Sequence, residues 1–143
     1  MAYMCMGCYE VYDWNMEMCP KTGCEGNIVE IDELMLPIIK MLNQKGYITE
    51  YCCSGHVYGN GSSSYICLRE FVTEVLEENE INQIKEELPK SWSMEIDQYN
   101  RLSFRHMIYA AYEQEYEVEK YEDILMTNLE FIKFVEQLPE LEY

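Results

Sequence analysis

The chain has 143 residues, with 27 acidic side chains against 10 basic ones and a formal net charge of −17. This length fits one domain with a core of ordinary size. A content of 48% hydrophobic and 13% aromatic residues argues against intrinsic disorder. The charge argues against binding to nucleic acid or to an anionic membrane, and it favours encounter with basic proteins.

The N-terminal segment "MAYMCMGCYE" lacks the basic and apolar regions of a signal peptide. No apolar run approaches the roughly 20 residues of a membrane-spanning helix. We therefore expect a cytoplasmic protein. Disulfides rarely persist in a reducing compartment, so the seven cysteines are expected to be metal ligands or reactive thiols.

Four of the cysteines form two close pairs, C-x2-C and C-x4-C, with ten residues between the pairs. They are Cys5, Cys8, Cys19 and Cys24. Zn²⁺ prefers four soft ligands in a tetrahedron, and two short cysteine pairs supply them with little ordering of the chain. The spacing predicts a closed, structural zinc site within a zinc-ribbon module at residues 1–31, packed as one unit with a body at residues 32–143.

The body has an α+β pattern. The segment "IDELMLPIIKMLNQKG" predicts a helix with Asp32 as its N-cap and Gly46 as its C-terminal stop. The runs "YITEYCC" and "SYICLRE" predict an antiparallel strand pair, and "SWSMEIDQYNRLSFR" predicts a hairpin. Between them, "FVTEVLEENEINQIKEELP" shows helical spacing in its second half, while its first half fits either strand or helix.

A long C-terminal helix is predicted from Glu117 to Gln137, because apolar residues recur there at helical spacing. Its predicted inner face comprises Val118, Tyr121, Leu125, Asn128, Leu129, Ile132, Val135 and Leu138. The fold class is therefore α+β: a four-cysteine zinc ribbon packed with an antiparallel sheet and two or three helices in a single domain.

The segment "YCCSGH" leaves three interpretations open. Cys53 and His56 could act as nucleophile and base, which would make the protein a small enzyme or a nucleic-acid-processing factor. Alternatively, Cys52 or Cys53 could join His56, Cys67 and His106 around a second metal ion. The third interpretation is a strand end with packed thiols.

The run "CPKTGCEGNIVEIDELMLPIIKMLNQKGYITEYCCSGH" resembles small zinc-binding proteins of phages, prophages and Firmicutes. In those proteins a cysteine pair, a "VEIDE" start, a helix and a segment of the GYxTxxCSGH type follow one another. With the acidic composition, the chain is similar to the zinc-containing anti-CRISPR proteins that act on type II-A systems. That resemblance implies a non-enzymatic inhibitor in the bacterial cytoplasm that binds the type II effector nuclease directly and prevents target DNA from loading. Another phage regulator, binding a different host protein, is the remaining alternative.

For contact with a basic partner surface, charge density favours the acidic run before and within the C-terminal helix. The predicted contact residues are Glu113, Glu115, Glu117, Glu119 and Glu122.

Overall fold

Two antiparallel sheets and four helices make up the part of the chain that the computed structural model describes, residues 2–53, 63–107 and 117–143. The strands are β1 (Ala2–Cys5), β2 (Val11–Tyr12), β3 (Ile28–Ile31), β4 (Thr49–Cys53), β5 (Ser63–Leu68), β6 (Ser93–Ile96) and β7 (Leu102–Met107). The helices are α1 (Leu36–Gln44), α2 (Glu70–Val75), α3 (Glu78–Glu87) and α4 (Glu117–Gln137). The predicted α+β class is confirmed.

The first sheet has the order β2-β1-β3 and carries the cysteine-rich N-terminal segment. The second has the order β4-β5-β7-β6. Both strand pairs expected from the sequence are present, β4 with β5 and β6 with β7, and pairing of β5 with β7 joins them into one sheet. Within the described residues, β3 and β4 are therefore edge strands of their sheets.

The segment whose first half fitted strand or helix contains two helices, α2 and α3, so the described residues hold one helix more than the upper expectation of three. Leu76 and Glu77 separate them because both residues have extended backbone angles. Val72 in α2, Leu76 just after it and Ile84 in α3 are buried.

Helix α1 begins four residues after Asp32, so the predicted N-cap is wrong. The Asp32 carboxylate instead accepts the N–H of Leu34 at 3.1 Å, in a turn that precedes the helix. Pro37 lies in the first helical turn, where its missing N–H costs no helical hydrogen bond.

The C-terminal stop of α1 is as predicted. Gly46 has φ +95°, a left-handed conformation in which a side chain is strained. Its N–H donates to Asn43 O at 3.0 Å, and the N–H of Tyr47 donates to Leu42 O at 2.9 Å, which is a Schellman motif.

Asn43 joins α1 to the start of β4. Its amide Nδ2 donates to Ile39 O at 2.7 Å and to Thr49 Oγ1 at 3.0 Å, while its Oδ1 accepts the N–H of Thr49 at 3.2 Å. This buried side chain therefore satisfies the outward N–H at the first residue of an edge strand.

Helix α4 has the predicted bounds, but its inner face is rotated from the prediction. Leu125 and Leu129, predicted to lie inside, are 38% and 55% exposed. Asn128, Val135 and Leu138 are buried as expected. Additional buried residues of this helix are Ile124, Phe131 and Phe134.

An aromatic cluster fixes α4 against the second sheet. The ring of Phe131 lies 4.3 Å from Trp92, 5.3 Å from Phe104 and 5.2 Å from Phe134, measured between centroids. Met4 and Ile31 of the first sheet belong to the same buried core. The N-terminal segment is thus packed onto the body.

The C-terminal end of α4 is held by the end of α1. Lys45 Nζ donates to Glu136 O and to Leu138 O, each at 2.7 Å, which places a cation at the negative end of α4. The Tyr47 hydroxyl donates to Pro139 O at 2.8 Å. None of the described helices is both long and apolar enough to cross a membrane.

Candidate metal centre

The four N-terminal cysteines come together from two turns. Cys5 ends β1, and Cys8 follows in the turn that leads to β2. Cys19 follows the bridge between Met18 and Asn27, and its N–H donates to Gly26 O at 3.0 Å. Cys24 closes a tight turn through its N–H, which donates to Lys21 O at 3.0 Å.

The four Sγ atoms all lie within 4.8 Å of one another. Cys5 Sγ is 3.6 Å from Cys24 Sγ, and Cys8 Sγ is 3.8 Å from Cys19 Sγ. A tetrahedron with Zn–S bonds of about 2.3 Å has S–S edges of about 3.8 Å, so the spacing fits a single metal ion. It is far beyond the roughly 2.05 Å of a disulfide bond, and these residues are free thiols.

Backbone groups surround the sulfur of Cys5. The N–H groups of Gly7 and Cys8 point to Cys5 Sγ, with N···S distances of 3.2 and 3.4 Å. A Cβ at Gly26 would collide with the same sulfur and with the Gly7 backbone. Glycine is therefore required at position 26, because the chain passes too close to the thiol cluster for any side chain.

The Tyr12 hydroxyl lies 3.1 Å from Cys19 Sγ. This hydrogen bond is the main reason why the pKa of Cys19 falls to about 7, although burial opposes the shift. The same hydrogen bond raises the pKa of Tyr12. When Cys19 is a thiolate, only the Tyr12 hydroxyl carries a proton, so Tyr12 then donates and stabilises the form of Cys19 that binds metal.

Opposing interactions act on the pKa of the Cys24 thiol. The N–H of Gly26 stabilises its thiolate and lowers the pKa, but the neighbouring thiol of Cys5 and burial together raise it to about 11. Without a metal ion, four adjacent sulfurs cannot all be ionised at neutral pH because their negative charges repel. A divalent cation would relieve this repulsion, and four thiolates would leave it no open coordination position.

Burial of the cluster is uneven. Cys5 is fully buried and Cys19 is 5% exposed, whereas Cys8 and Cys24 are half-buried. The centre therefore lies near the surface of the first sheet, where it joins the β1–β2 turn to the segment before β3.

The residues proposed for a second site do not form a cluster in the described part of the chain. There, the four N-terminal cysteines are the only group of three or more potential ligands close enough to hold a metal. Cys67 is buried, which raises the pKa of its thiol, and Cys52 is half-buried in β4. The imidazole of His106 packs near Trp92, with ring centroids 5.8 Å apart. His56 and the side chain of Cys53 lie outside the described residues, and the catalytic interpretation stays a prediction.

The predicted partner-binding glutamates are only partly described. Glu113 and Glu115 lie outside the described residues, as do the side chains of Glu117 and Glu119 in the first turn of α4. Glu122 is exposed on that helix.

Sequence reasoning missed the contributions of Tyr12 and Gly26. Tyr12 and Cys19 are seven positions apart in the sequence, and no periodic pattern indicates the contact between them. The CEG sequence at residues 24–26 would be compatible with many turns. The close approach of the chain that requires glycine becomes visible only when both cysteine turns are in place.

Comparison of this chain with protein-family models, with curated proteins and with solved structures finds no match.

Replacing Tyr12 with phenylalanine is expected to weaken metal binding about 10- to 100-fold, the usual effect of removing a hydrogen bond to a metal ligand. The substitution removes the donor 3.1 Å from Cys19 Sγ and leaves the ring in place. Competition with a chromophoric chelator measures the affinity. Tyr99→Phe, at an exposed position in the β6–β7 turn, is the control, and equal affinities of the two variants would contradict the assigned role.

Proposed function

We propose that the protein is a zinc-containing, non-enzymatic inhibitor that binds a type II CRISPR effector nuclease directly and prevents target DNA from loading. It acts in the cytoplasm of the bacterial host. The observation that carries the proposal is the concentration of negative charge on a folded surface, −17 over 143 residues. The cleft of such an effector is basic because it holds a nucleic-acid duplex.

Zinc is the metal that best fits the thiol cluster. Four thiolates are soft ligands, and sulfur atoms that all lie within 4.8 Å of one another can surround one ion tetrahedrally. With no open position, the ion has a structural role, and its complex would keep a net charge of −2. A closed centre supports a protein whose activity is binding rather than hydrolysis.

The acidic residues of the helices support a protein-binding surface. Exposed carboxylates lie along α2 and α3 and between them, at Glu70, Glu74, Glu77, Glu78, Glu86 and Glu87. A groove between the end of α3 and α4 is lined by Glu87 and Glu130, with Lys133 as its one cationic residue. Negative charge on helices of fixed orientation can compete with DNA for basic protein surface and can increase the rate of association.

The proposed contact surface is the start of α4 and the run before it, at Glu113, Glu115, Glu117, Glu119 and Glu122. Replacing all five residues with glutamine should weaken binding to the effector–guide complex by at least tenfold at about 0.15 M salt, and should flatten the salt dependence. Binding is measured by interferometry with immobilised effector. Loading is measured by gel shift with a labelled target duplex.

A matched control separates a local contact from the effect of net charge. The variant with glutamine at Glu70, Glu74, Glu77, Glu78 and Glu86 has the same formal charge as the first variant, and its substitutions are confined to α2, α3 and Glu77 between them. The proposal expects this control to bind nearly as well as the unmodified protein. Equal losses of affinity in both variants would show that binding depends on net charge rather than on this surface. Absence of binding by the unmodified protein would refute the proposed partner.

A further inference from the structure

A cleft of about 260 Å³ lies between the edge strands of the two sheets. We call it the edge cleft; β3 contributes Val29, Glu30 and Ile31 to it, and β4 contributes Thr49, Glu50 and Cys52. It is separate from the metal ligands and from α4, whose residues do not line it.

The edge of β3, and not only one of its faces, borders this cleft. Successive side chains of a strand point to opposite faces of the sheet. A cleft lined by three consecutive residues, 29 to 31, therefore extends along the edge of the strand. Within residues 2–53, 63–107 and 117–143, β3 pairs only with β1, and β4 only with β5.

The direction of the β3 backbone groups follows from the hydrogen bonds around β1. The N–H of Cys5 donates to Glu10 O on the β2 side, and the N–H of Met6 donates to Asn27 O on the β3 side. Backbone groups alternate along a strand, so Met4 faces β3, and its partner Val29 faces back towards β1. The N–H and C=O of Glu30 therefore point away from β1, towards the open edge.

Two outward backbone groups nearby already have partners, and those of Glu30 do not within the described part of the chain. The outward carbonyl of Gly26 accepts the N–H of Cys19, and the outward N–H of Thr49 on β4 is bonded to Asn43. Among the described residues, the Glu30 backbone has no such partner. An unpaired strand edge beside a cleft is a template for an added strand.

The lining of the edge cleft defines the chemistry of the added strand. Ile31 and Ile39 form an apolar floor and are 3% and 1% exposed. The charged side chains at the rim are those of Glu30, Glu50 and Arg69. Glu50 already forms an ion pair with Arg101 at 3.5 Å, so Glu30 is the carboxylate that a ligand can reach. The chain as a whole carries a charge of −17, so it repels a second copy and favours a basic strand.

We propose that the edge cleft binds a short extended segment of a partner protein as an additional strand on β3, with apolar side chains on the floor alternating with basic side chains at the rim. The backbone of Glu30 supplies hydrogen bonds to this strand. The site is distinct from the acidic surface of α4 and does not depend on the identity of the effector.

The test uses the unmodified, metal-loaded protein and a fluorescent, capped hexapeptide of alternating valine and lysine. Fluorescence anisotropy at about 0.15 M salt should show saturable binding below about 1 mM, the weak range expected of a short peptide. N-methylation of alternate residues, on one edge of the peptide and then on the other, should weaken binding about tenfold for at least one of the two peptides. Replacing lysine with glutamate should abolish binding.

Two protein variants locate the contact. Glu30→Pro removes the outward N–H at a position where an edge strand tolerates proline, and should weaken binding about tenfold. Glu30→Gln should weaken binding more than Glu87→Gln, which removes one charge on α3. Metal content and circular dichroism report whether Glu30→Pro is folded; if it is not, the N-methylated peptides decide with the unmodified protein.

Charge attraction alone predicts different results. Both N-methylated peptides would then bind as tightly as the parent peptide, and Glu30→Gln would match Glu87→Gln. Either result, or no binding of the parent peptide at about 1 mM, overturns the proposal. The five-glutamine variant of the acidic run should bind the hexapeptide normally, so a failure of the effector proposal leaves this test informative.

Discussion

Replacing Cys8 with serine is expected to eliminate metal binding and to unfold the first sheet. Metal content, measured by mass spectrometry, should fall from one ion per chain to less than about a tenth. The apparent binding free energy of structural Zn²⁺ in small modules is about 10–16 kcal/mol, which is comparable to the total stability of a typical domain. The thermal midpoint should therefore fall by on the order of 10 °C or more.

Cys8 is a suitable position for this test because its side chain is half-buried and lies outside β1. Cys8 is not part of the common core that contains Met4 and Ile31, so serine at this position removes no core side chain. Loss of stability then reports the missing ligand rather than a cavity. Cys24→Ser should behave in the same way, since its sulfur lies 3.6 Å from that of Cys5.

Cys52→Ser is the matched control because it removes a half-buried thiol outside the cluster. One ion per chain should remain bound. Retention of the ion by both Cys8→Ser and Cys24→Ser would contradict the four-thiol centre, and a second ion lost in Cys52→Ser would revive the second-site hypothesis. Substitution with Co²⁺ gives an independent readout, because thiolate ligands produce a charge-transfer absorption that should disappear only in the ligand variants.

The sequence predicted the thiol cluster because its information is local. Each cysteine pair spans a single turn, and tetrahedral coordination requires only that two turns meet. The hydrogen bond of Tyr12 and the requirement for Gly26 depend on how the two turns pack, which the spacing of the cysteines does not define.

The two strand pairs could also be predicted, because each is made by runs that are neighbours in the sequence. Pairing of β5 with β7 could not be predicted from the sequence. That contact joins segments separated by α2, α3 and β6, so no local sequence pattern specifies it. The edge cleft follows from the same tertiary arrangement, since it exists only once the two sheets lie side by side.

For α4, the periodicity of apolar residues predicted the correct bounds, but the face that it predicted to be buried is rotated from the face that is buried. The stripe through Leu125 and Leu129 and the stripe through Phe131 and Phe134 are both apolar at helical spacing. Hydrophobicity does not distinguish them; the partner surface does. Phe104 in β7 and Trp92 just before β6 face the helix, and aromatic rings pack well against one another, so the phenylalanine stripe is buried.

This assignment makes a strong prediction for Phe131→Ala. The side chain is fully buried among three aromatic rings, and its removal leaves a cavity that the rigid sheet cannot fill. We expect a loss of about 3–5 kcal/mol in the free energy of unfolding, measured by urea denaturation. A typical domain has about 5–15 kcal/mol in total, so the variant should be close to the limit of folding.

Leu129→Ala is the control on the same helix. Leu129 is 55% exposed, so the substitution should change the free energy of unfolding by less than about 0.5 kcal/mol. Burial of the phenylalanine stripe and burial of the leucine stripe thus predict opposite results for this pair of variants. If Leu129→Ala were the more destabilising, the face predicted from periodicity alone would be the buried one, and the packing of α4 on the sheet through the aromatic cluster would be wrong.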